Sequence, residues 1–214
     1  MNTNGWNRVR YTLWAPIYDM VASFPRHRRR AIELLGLSAG EKVLIVGAGT
    51  GADLPFIPAN LRITAVDITP AMLQRLRQRA TSLGMTVDAQ VMDGQALEFS
   101  SEQFDAVILH LILAVIPDPI ACIREVERVL KPGGRAVVFD KFIPDDQEPS
   151  LGRRFVNAIT NLLFSDITRK LGPLVASTRL VLEHREETTI AGVPYQTVIL
   201  RKPTIIDPQP YPGL

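Results

Sequence analysis

A single cysteine, Cys122, stands in the 214 residues, so neither a disulfide framework nor a cysteine-rich zinc site is open to this chain. Three histidines are too few to build a structural metal cluster beside that lone thiol, and no metal site is expected. Also missing is any uncharged run of the roughly 18–20 apolar residues that a bilayer crossing requires. The opening Met1-Asn2-Thr3-Asn4-Gly5-Trp6 lacks the long apolar core of a secretory signal. These absences predict a soluble, cytosolic protein. No repeat with a period of tens of residues and no low-complexity stretch interrupts the chain. What is present is ordinary for a packed globular protein: 46% apolar and 21% charged residues, with 14 Gly and 16 Pro. The length predicts one domain, or one domain with a small appendage.

The formal net charge of +2 is unevenly spread. Residues 1–36 carry Arg8, Arg10, Arg26, Arg28, Arg29 and Arg30 against Asp19 and Glu33, whereas the remainder is slightly acidic. A basic arm on a near-neutral body predicts contact with something anionic, a phosphate or a membrane surface. The competing reading is a solvated helix face. Nucleic acid is not expected, because no second basic patch interleaved with aromatics is present.

Residues 1–25 predict helical decoration broken by Pro16 and Pro25, and Arg26 to Leu35 a helix stopped by Gly36. Then short apolar runs alternate with helical patterns. Lys42 to Val46, Arg62 to Asp67, Met85 to Met92, Phe104 to His110 and Arg135 to Asp140 read as strands, several of them apolar on both faces. Pro70 to Ser82 and Pro119 to Leu130 read as helices, the second with Asp118-Pro119 as N-cap and first-turn proline. Such alternation predicts a parallel sheet covered on both faces. Leu180 to Thr189 and Pro194 to Lys202, joined through Ile190-Ala191-Gly192-Val193, predict an antiparallel pair that inserts one reversed strand at the end. Between the fifth strand and this pair, residues 141–179 contain a helical stripe of Leu151, Phe155, Ile159, Leu162, Leu163, Ile167 and Leu171. It is either an ordinary helix layer or part of a substrate cap. The proline-rich end predicts an irregular tail.

The first strand runs into Gly47-Ala48-Gly49-Thr50-Gly51, a turn that brings backbone close to a ligand. Asp67 ends the second strand, where a carboxylate can accept hydrogen bonds from ribose hydroxyls. So far this fits a nicotinamide dinucleotide as well as any adenosine-bearing cofactor. Asp93-Gly94-Gln95-Ala96 follows the third strand, where an acid can receive the exocyclic amine of adenine. Phe104-Asp105-Ala106-Val107 and Leu130-Lys131-Pro132-Gly133-Gly134 complete the set.

Together these motifs, spread over residues 40–140, resemble those of the class I S-adenosylmethionine-dependent methyltransferases. The resemblance implies an α/β fold: a Rossmann-like, seven-stranded, mostly parallel sheet with an antiparallel C-terminal strand, helices on both faces and a helical N-terminal arm. It divides the chain into an arm or lid (1–36), the methyltransferase domain (37–203, with 141–179 as a substrate-side insertion) and a tail (204–214). It implies S-adenosyl-L-methionine as cofactor and S-adenosyl-L-homocysteine as product. The cofactor-binding residues it implies are Tyr11, Tyr18, Gly47, Ala48, Gly49, Thr50, Gly51, Asp67, Ile68, Met72, Asp93, Gly94, Gln95 and His110. All five motif corners are expected to meet at one crevice. One departure is Ile45-Val46 before the first glycine, where an acid is frequent in the family; a polar contact to the methionine portion is thereby in doubt.

Tyr11-Thr12-Leu13-Trp14-Ala15-Pro16-Ile17-Tyr18-Asp19 resembles the opening of a branch that contains quinone-biosynthesis C-methyltransferases and bacterial phosphatidylethanolamine N-methyltransferases. In that branch the segment folds over the cofactor, making Tyr11 and Tyr18 lid candidates. Tyr18, His110 and Asp140 are the candidate catalytic residues, with Lys141 on the same rim; His27 and His184 receive no role. Transfer from a sulfonium is an in-line displacement, so alignment and exclusion of water dominate. With no unmistakable base, amine chemistry is favoured over carbon or phenol chemistry. The expected reaction is N-methylation of an amphipathic acceptor, such as the amine of phosphatidylethanolamine, by a cytoplasmic enzyme peripheral to the inner membrane face through its basic arm. The alternative is C- or O-methylation of a quinone precursor or other small molecule. A cofactor-binding module without catalysis and a nicotinamide-dependent dehydrogenase are the remaining readings.

Overall fold

The computed structural model describes residues 4, 5, 8, 12, 24–143 and 168–204. Seven strands form one sheet in the order β3-β2-β1-β4-β5-β7-β6. They are β1 (Lys42–Val46), β2 (Arg62–Asp67), β3 (Val87–Val91), β4 (Phe104–His110), β5 (Leu130–Asp140), β6 (Val181–Ile190) and β7 (Val193–Arg201). The pairs among β1 to β5 are parallel. Strand β7 runs antiparallel to both β5 and β6, so it alone is reversed. The expected Rossmann-like sheet with an inserted reversed strand is what the chain forms.

Apolar residues succeed one another along the central strands because both faces are covered. Leu44, Val46, Val107, Leu109 and Val138 point into one core layer, closed by Cys122, Ile123, Val126 and Val129 of helix α3 (Pro119–Val129). Val43, Ile45, Ala106, Ile108, Val137 and Phe139 point into the other. That layer is closed by Ala31, Ile32 and Leu35 of α1 (Pro25–Leu35) and by Leu73, Leu76 and Ala80 of α2 (Pro70–Ser82). Each fully buried large apolar side chain contributes about 1.5–3 kcal/mol. Helix α3 starts where its cap dictates: Asp118 Oδ1 accepts the Ala121 amide at 2.9 Å. A short helix α4 (Gly172–Ala176) packs on the α3 layer through Leu174.

Among the boundaries that differ from the sequence expectation are the start of β5 and the link between β6 and β7. Strand β5 begins at Leu130, which pairs with Phe104, and the register then slips so that Arg135 faces Ala106. Lys131 to Gly134 are spent in that slip. Gly133, at φ 74°, donates to the Lys202 carbonyl at 2.8 Å, which ties the turn to the end of β7. The link between β6 and β7 is only Ala191-Gly192, since Ile190 and Val193 already pair. Both turn residues have positive φ, 50° and 77°, the geometry that two-residue hairpins favour. Alanine is strained there, whereas asparagine tolerates it. Ala191→Asn should therefore stabilise the fold by about 0.5–1 kcal/mol, read as a higher urea midpoint with unchanged slope.

The strand order reverses between β1 and β4, since the chain builds outward through β2 and β3 and then returns to the other side. Open α/β sheets bind ligands outside the carboxyl ends of the strands at such a point. Among the described residues, no helix is long and apolar enough to cross a membrane.

Candidate active site

At the carboxyl ends of β1, β2 and β4 lies a crevice lined by Gly47, Gly49, Asp67, Ile68, Met72, Asp93 and Gly94, joined by Asn4, Leu111, Ile112, Val115 and Ile116. Gly47, Gly49 and Gly51 all have positive φ, between 54° and 77°. At Gly47 the requirement is also steric, because an added Cβ would lie 2.6 Å from Ile112 Cδ1. The loop after β4 therefore closes directly over the first glycine. Leu111 in that loop holds φ at 62°. For a bulky residue this costs about 1–2 kcal/mol, and the Leu111 amide is fixed by the Phe139 carbonyl at 2.8 Å. Arg169 pins the same loop from outside, donating to the carbonyls of Leu113 and of Ile116.

Asp67 accepts the Gly49 amide on Oδ2 at 2.9 Å and the Thr69 amide on Oδ1 at 2.8 Å. Each oxygen keeps a further lone pair, as a vicinal diol requires. Burial raises its pKa, only partly offset by the two amides. Asp93 Oδ1 accepts the Gln95 amide at 2.9 Å, and the Gln95 side chain also reaches Asp93. The Asn4 carboxamide donates to Asp93 Oδ2 and accepts from Gln95 Nε2. Gln95 thus stands behind Asp93 rather than in the wall.

Not every expected cofactor residue reaches the crevice. Ala48 and Thr50 are buried in the turn itself, and Gly51 abuts Leu54 and Leu76. His110 is absent from the lining: its side chain lies on the opposite side of β4, in the α1 layer, where Nδ1 sits 2.7 Å from Asp53 Oδ1. Tyr11, Trp14, Tyr18 and the helical stripe from Leu151 to Ile167 lie outside the described residues. The expected meeting of five corners at one crevice is also corrected. Asp105 sits at the amino end of β4, where it accepts the Lys42 amide at 2.9 Å and the Lys131 ammonium. Gly133 and Gly134 pair with Lys202 at that same far end. These two motifs staple strands together, and only the corners at 47–51, 67 and 93–95 converge.

Asp140 is fully buried, and its two oxygens accept the amides of Ala114 and Lys141 at 2.9 and 2.8 Å. Burial raises its pKa, against the opposing amides and the charges of Lys141 and Arg169. It fastens the loop that roofs the crevice, a role unlike that of a solvent-facing base. Burial lowers the pKa of Lys141, opposed by Asp140. Cys122 is buried, its thiol pushed up to about 12, and is no nucleophile.

The basic run of the arm is also partly internal. Arg28 is buried and donates to Asp53 Oδ1 at 2.8 Å, and Arg30 pairs with Glu186 of β6. Arg29 lies over the Phe56 ring, 5.3 Å from its centroid. Arg26 and Arg29 remain on the surface. Arg28, Asp53 and His110 form a connected buried cluster that sequence reasoning missed. The available signal was an acid, Asp53, in the apolar stretch after the glycine turn. Burial raises the Asp53 pKa, but Arg28 and His110 outweigh it and hold the carboxyl well below the usual carboxylate range. Because the folded pKa is the lower one, this stabilisation is complete above the ordinary carboxylate range and is lost as pH falls through it. Arg28→Met leaves the Asp53 charge without its strongest partner and should cost about 3–5 kcal/mol. The acid-unfolding midpoint, followed by circular dichroism, should move to higher pH.

The parallel sheet with its reversed last strand, and the ribose-type acid beside a glycine turn, define an adenosyl-binding transferase fold. A profile described as a methyltransferase domain matches residues 44–138. A phosphatidylethanolamine N-methyltransferase of Cereibacter sphaeroides is 34% identical over 141 residues, 63% of this chain and 68% of that protein. A demethylmenaquinone methyltransferase of Tropheryma whipplei is 33% identical over 190 residues, 86% of this chain and 73% of that protein. Among solved structures, the geranyl diphosphate C-methyltransferase of Streptomyces coelicolor shares the fold, with a TM-score of 0.71 at 16% identity over 83% of this chain and 78% of that one. That structure holds S-adenosyl-L-homocysteine. The chain belongs to the class I S-adenosylmethionine-dependent methyltransferases.

Proposed function

We propose that this enzyme N-methylates an amphipathic acceptor, the amine of a phospholipid headgroup such as phosphatidylethanolamine. The crevice fits S-adenosylmethionine: Asp67 would hold the ribose diol, Asp93 the adenine amine, and Ile68, Met72 and Ile116 the flat adenine faces. Bound there, the cofactor supplies an electrophilic methyl group. The chain's own residues do the rest. Gly47 and Gly49 let the backbone approach, and the loop 111–117, held by Asp140 and Arg169, excludes water from one side. The observation that carries the amine reading is the 34% identity to a phosphatidylethanolamine N-methyltransferase over 68% of that protein's length. Arg26 and Arg29 on the surface of α1 suit an anionic bilayer.

The likeness to a demethylmenaquinone methyltransferase over more of the chain supports a second reading, methylation of a reduced naphthoquinone. Transfer of labelled methyl groups to vesicles of phosphatidylethanolamine and phosphatidylglycerol is the test, run beside a demethylated naphthoquinol. Label in the lipid establishes the first reading; label in the quinol alone replaces it with the second.

A further inference from the structure

We infer, on the assignment of Asp93 to the adenine amine, that Asn4 is an internal competitor of the cofactor: its carboxamide holds the acceptor position on Asp93 that this amine needs, and it must let go before the nucleoside can seat. Asn4 Nδ2 donates to Asp93 Oδ2 at 2.5 Å, and Asn4 Oδ1 accepts from Gln95 Nε2 at 3.2 Å. An ionised carboxylate can only accept, so the amide nitrogen is the end of Asn4 that meets it. Asn4 and Asp93 both line the crevice, beside Gly94. The contact therefore lies in the crevice itself and not behind its wall.

The two acids of the crevice differ in what they have left to offer. A carboxylate presents about four lone-pair positions. On Asp67 each oxygen accepts one backbone amide, from Gly49 or Thr69. On Asp93 each oxygen already has two donors. Oδ1 accepts the Gln95 amide at 2.9 Å and Gln95 Nε2 at 3.0 Å, while Oδ2 accepts Gln95 Nε2 at 3.0 Å and Asn4 Nδ2. An adenine amine can bond to Asp93 only in exchange for one of these. The Gln95 donors are fixed locally, because its amide belongs to the turn after β3 and its Oε1 accepts the Asp118 amide at 2.7 Å at the start of α3. Asn4 comes from 89 residues away in the chain and is half-buried, so it can leave without disturbing that turn. Its group is also the chemical likeness of the ligand's: a planar NH2 that gives one hydrogen to a carboxylate oxygen. Exchange therefore conserves the hydrogen bond, and apparent cofactor affinity is reduced by the fraction of molecules in which Asn4 is off Asp93. By reciprocity, bound cofactor weakens the hold of Asn4 on the crevice by the same factor.

The test is a mutant cycle of the full chain, titrated calorimetrically with S-adenosyl-L-homocysteine, together with nitrogen-15 spectra of asparagine-labelled protein. Asn4→Ala should bind about tenfold tighter than the wild type. Asp93→Ala should bind about tenfold weaker or worse, and in that background Asn4→Ala should change Kd by less than about twofold. In the wild type, the Asn4 amide protons should shift on saturation from a strongly hydrogen-bonded position to that of a solvated carboxamide. Weaker or unchanged binding by Asn4→Ala overturns the competition, since a clamp gives the first result and a bystander the second. An equal gain in the Asp93→Ala background overturns it too, because Asn4 would then obstruct without contending for that carboxylate. So do amide protons that stay put at saturation. An Asp93→Ala variant of unchanged Kd removes the adenine assignment itself; a weakened Asp93→Ala beside an Asn4→Ala without gain leaves that assignment standing and removes the competition alone.

Discussion

Asp67→Ala should weaken S-adenosylmethionine binding by about a hundredfold or more. Hydrogen bonds to a charged acceptor contribute about 1.5–3 kcal/mol each, and a diol on Asp67 would make two, so the loss exceeds the 1.4 kcal/mol that separates successive factors of ten. The substitution also releases the Gly49 and Thr69 amides from their acceptor, so the glycine turn loses its anchor along with its ligand. Titration calorimetry reads the first effect and thermal unfolding the second. An unchanged Kd would remove Asp67 from the site. A related result follows from the raised pKa of this carboxyl. As pH falls, Asp67 takes up its proton earlier than an ordinary aspartate, one lone pair is lost to that proton, and cofactor affinity should begin to fall above the usual carboxylate range.

Gly47→Ala is the second large effect. The backbone at φ 68° is unfavourable for any side chain, and the new methyl would stand 2.6 Å from Ile112 Cδ1 and 2.9 Å from Ile112 Cβ. Backbone strain of about 1–2 kcal/mol and overpacking of about 1–3 kcal/mol together should lower stability and push the loop 111–117 off the turn, abolishing cofactor binding. Ile112→Ala in the same chain should return the overpacking part and leave the backbone part. The double-mutant cycle should therefore show a favourable coupling of about 1 kcal/mol or more. Purely additive values would mean that the loop does not rest on the turn.

The elements that sequence reasoning located most closely are those with two independent markers. Strand β4 is an apolar run bounded by polar residues, and α2 opens on a proline after Thr69 and carries Met72, Leu73, Leu76 and Ala80 at helical spacing. The adenosyl half of the site was equally visible, because Gly47, Gly49, Asp67 and Asp93 sit at strand ends that alternation alone fixes. What escaped depends on side-chain reach across the fold. Phe104-Asp105-Ala106 and Lys131-Pro132-Gly133-Gly134 carry motif residues at the amino ends of their strands, yet nothing in the one-dimensional pattern tells a strand's entrance from its exit as a functional edge. Arg28 looked like a surface charge, since its neighbours Arg29 and Arg30 are exposed; only the helical turn that points it at Asp53 makes it internal. Asn4 is remote from Asp93 and Gln95 in the chain, and no periodicity could bring them together.

The late insertion of β7 also sets an order of events at the ribosome. Strand β5 is complete at Asp140, but the neighbour that covers its outer side begins only at Val193. At synthesis rates of about 5–20 residues per second, that flank stays bare for several seconds. A bare row of amide and carbonyl groups along Ala136-Val137-Val138-Phe139 is a template for another nascent strand. Chains truncated before β7 are thus destined for inclusion bodies even though every residue of the nucleoside crevice has already been made.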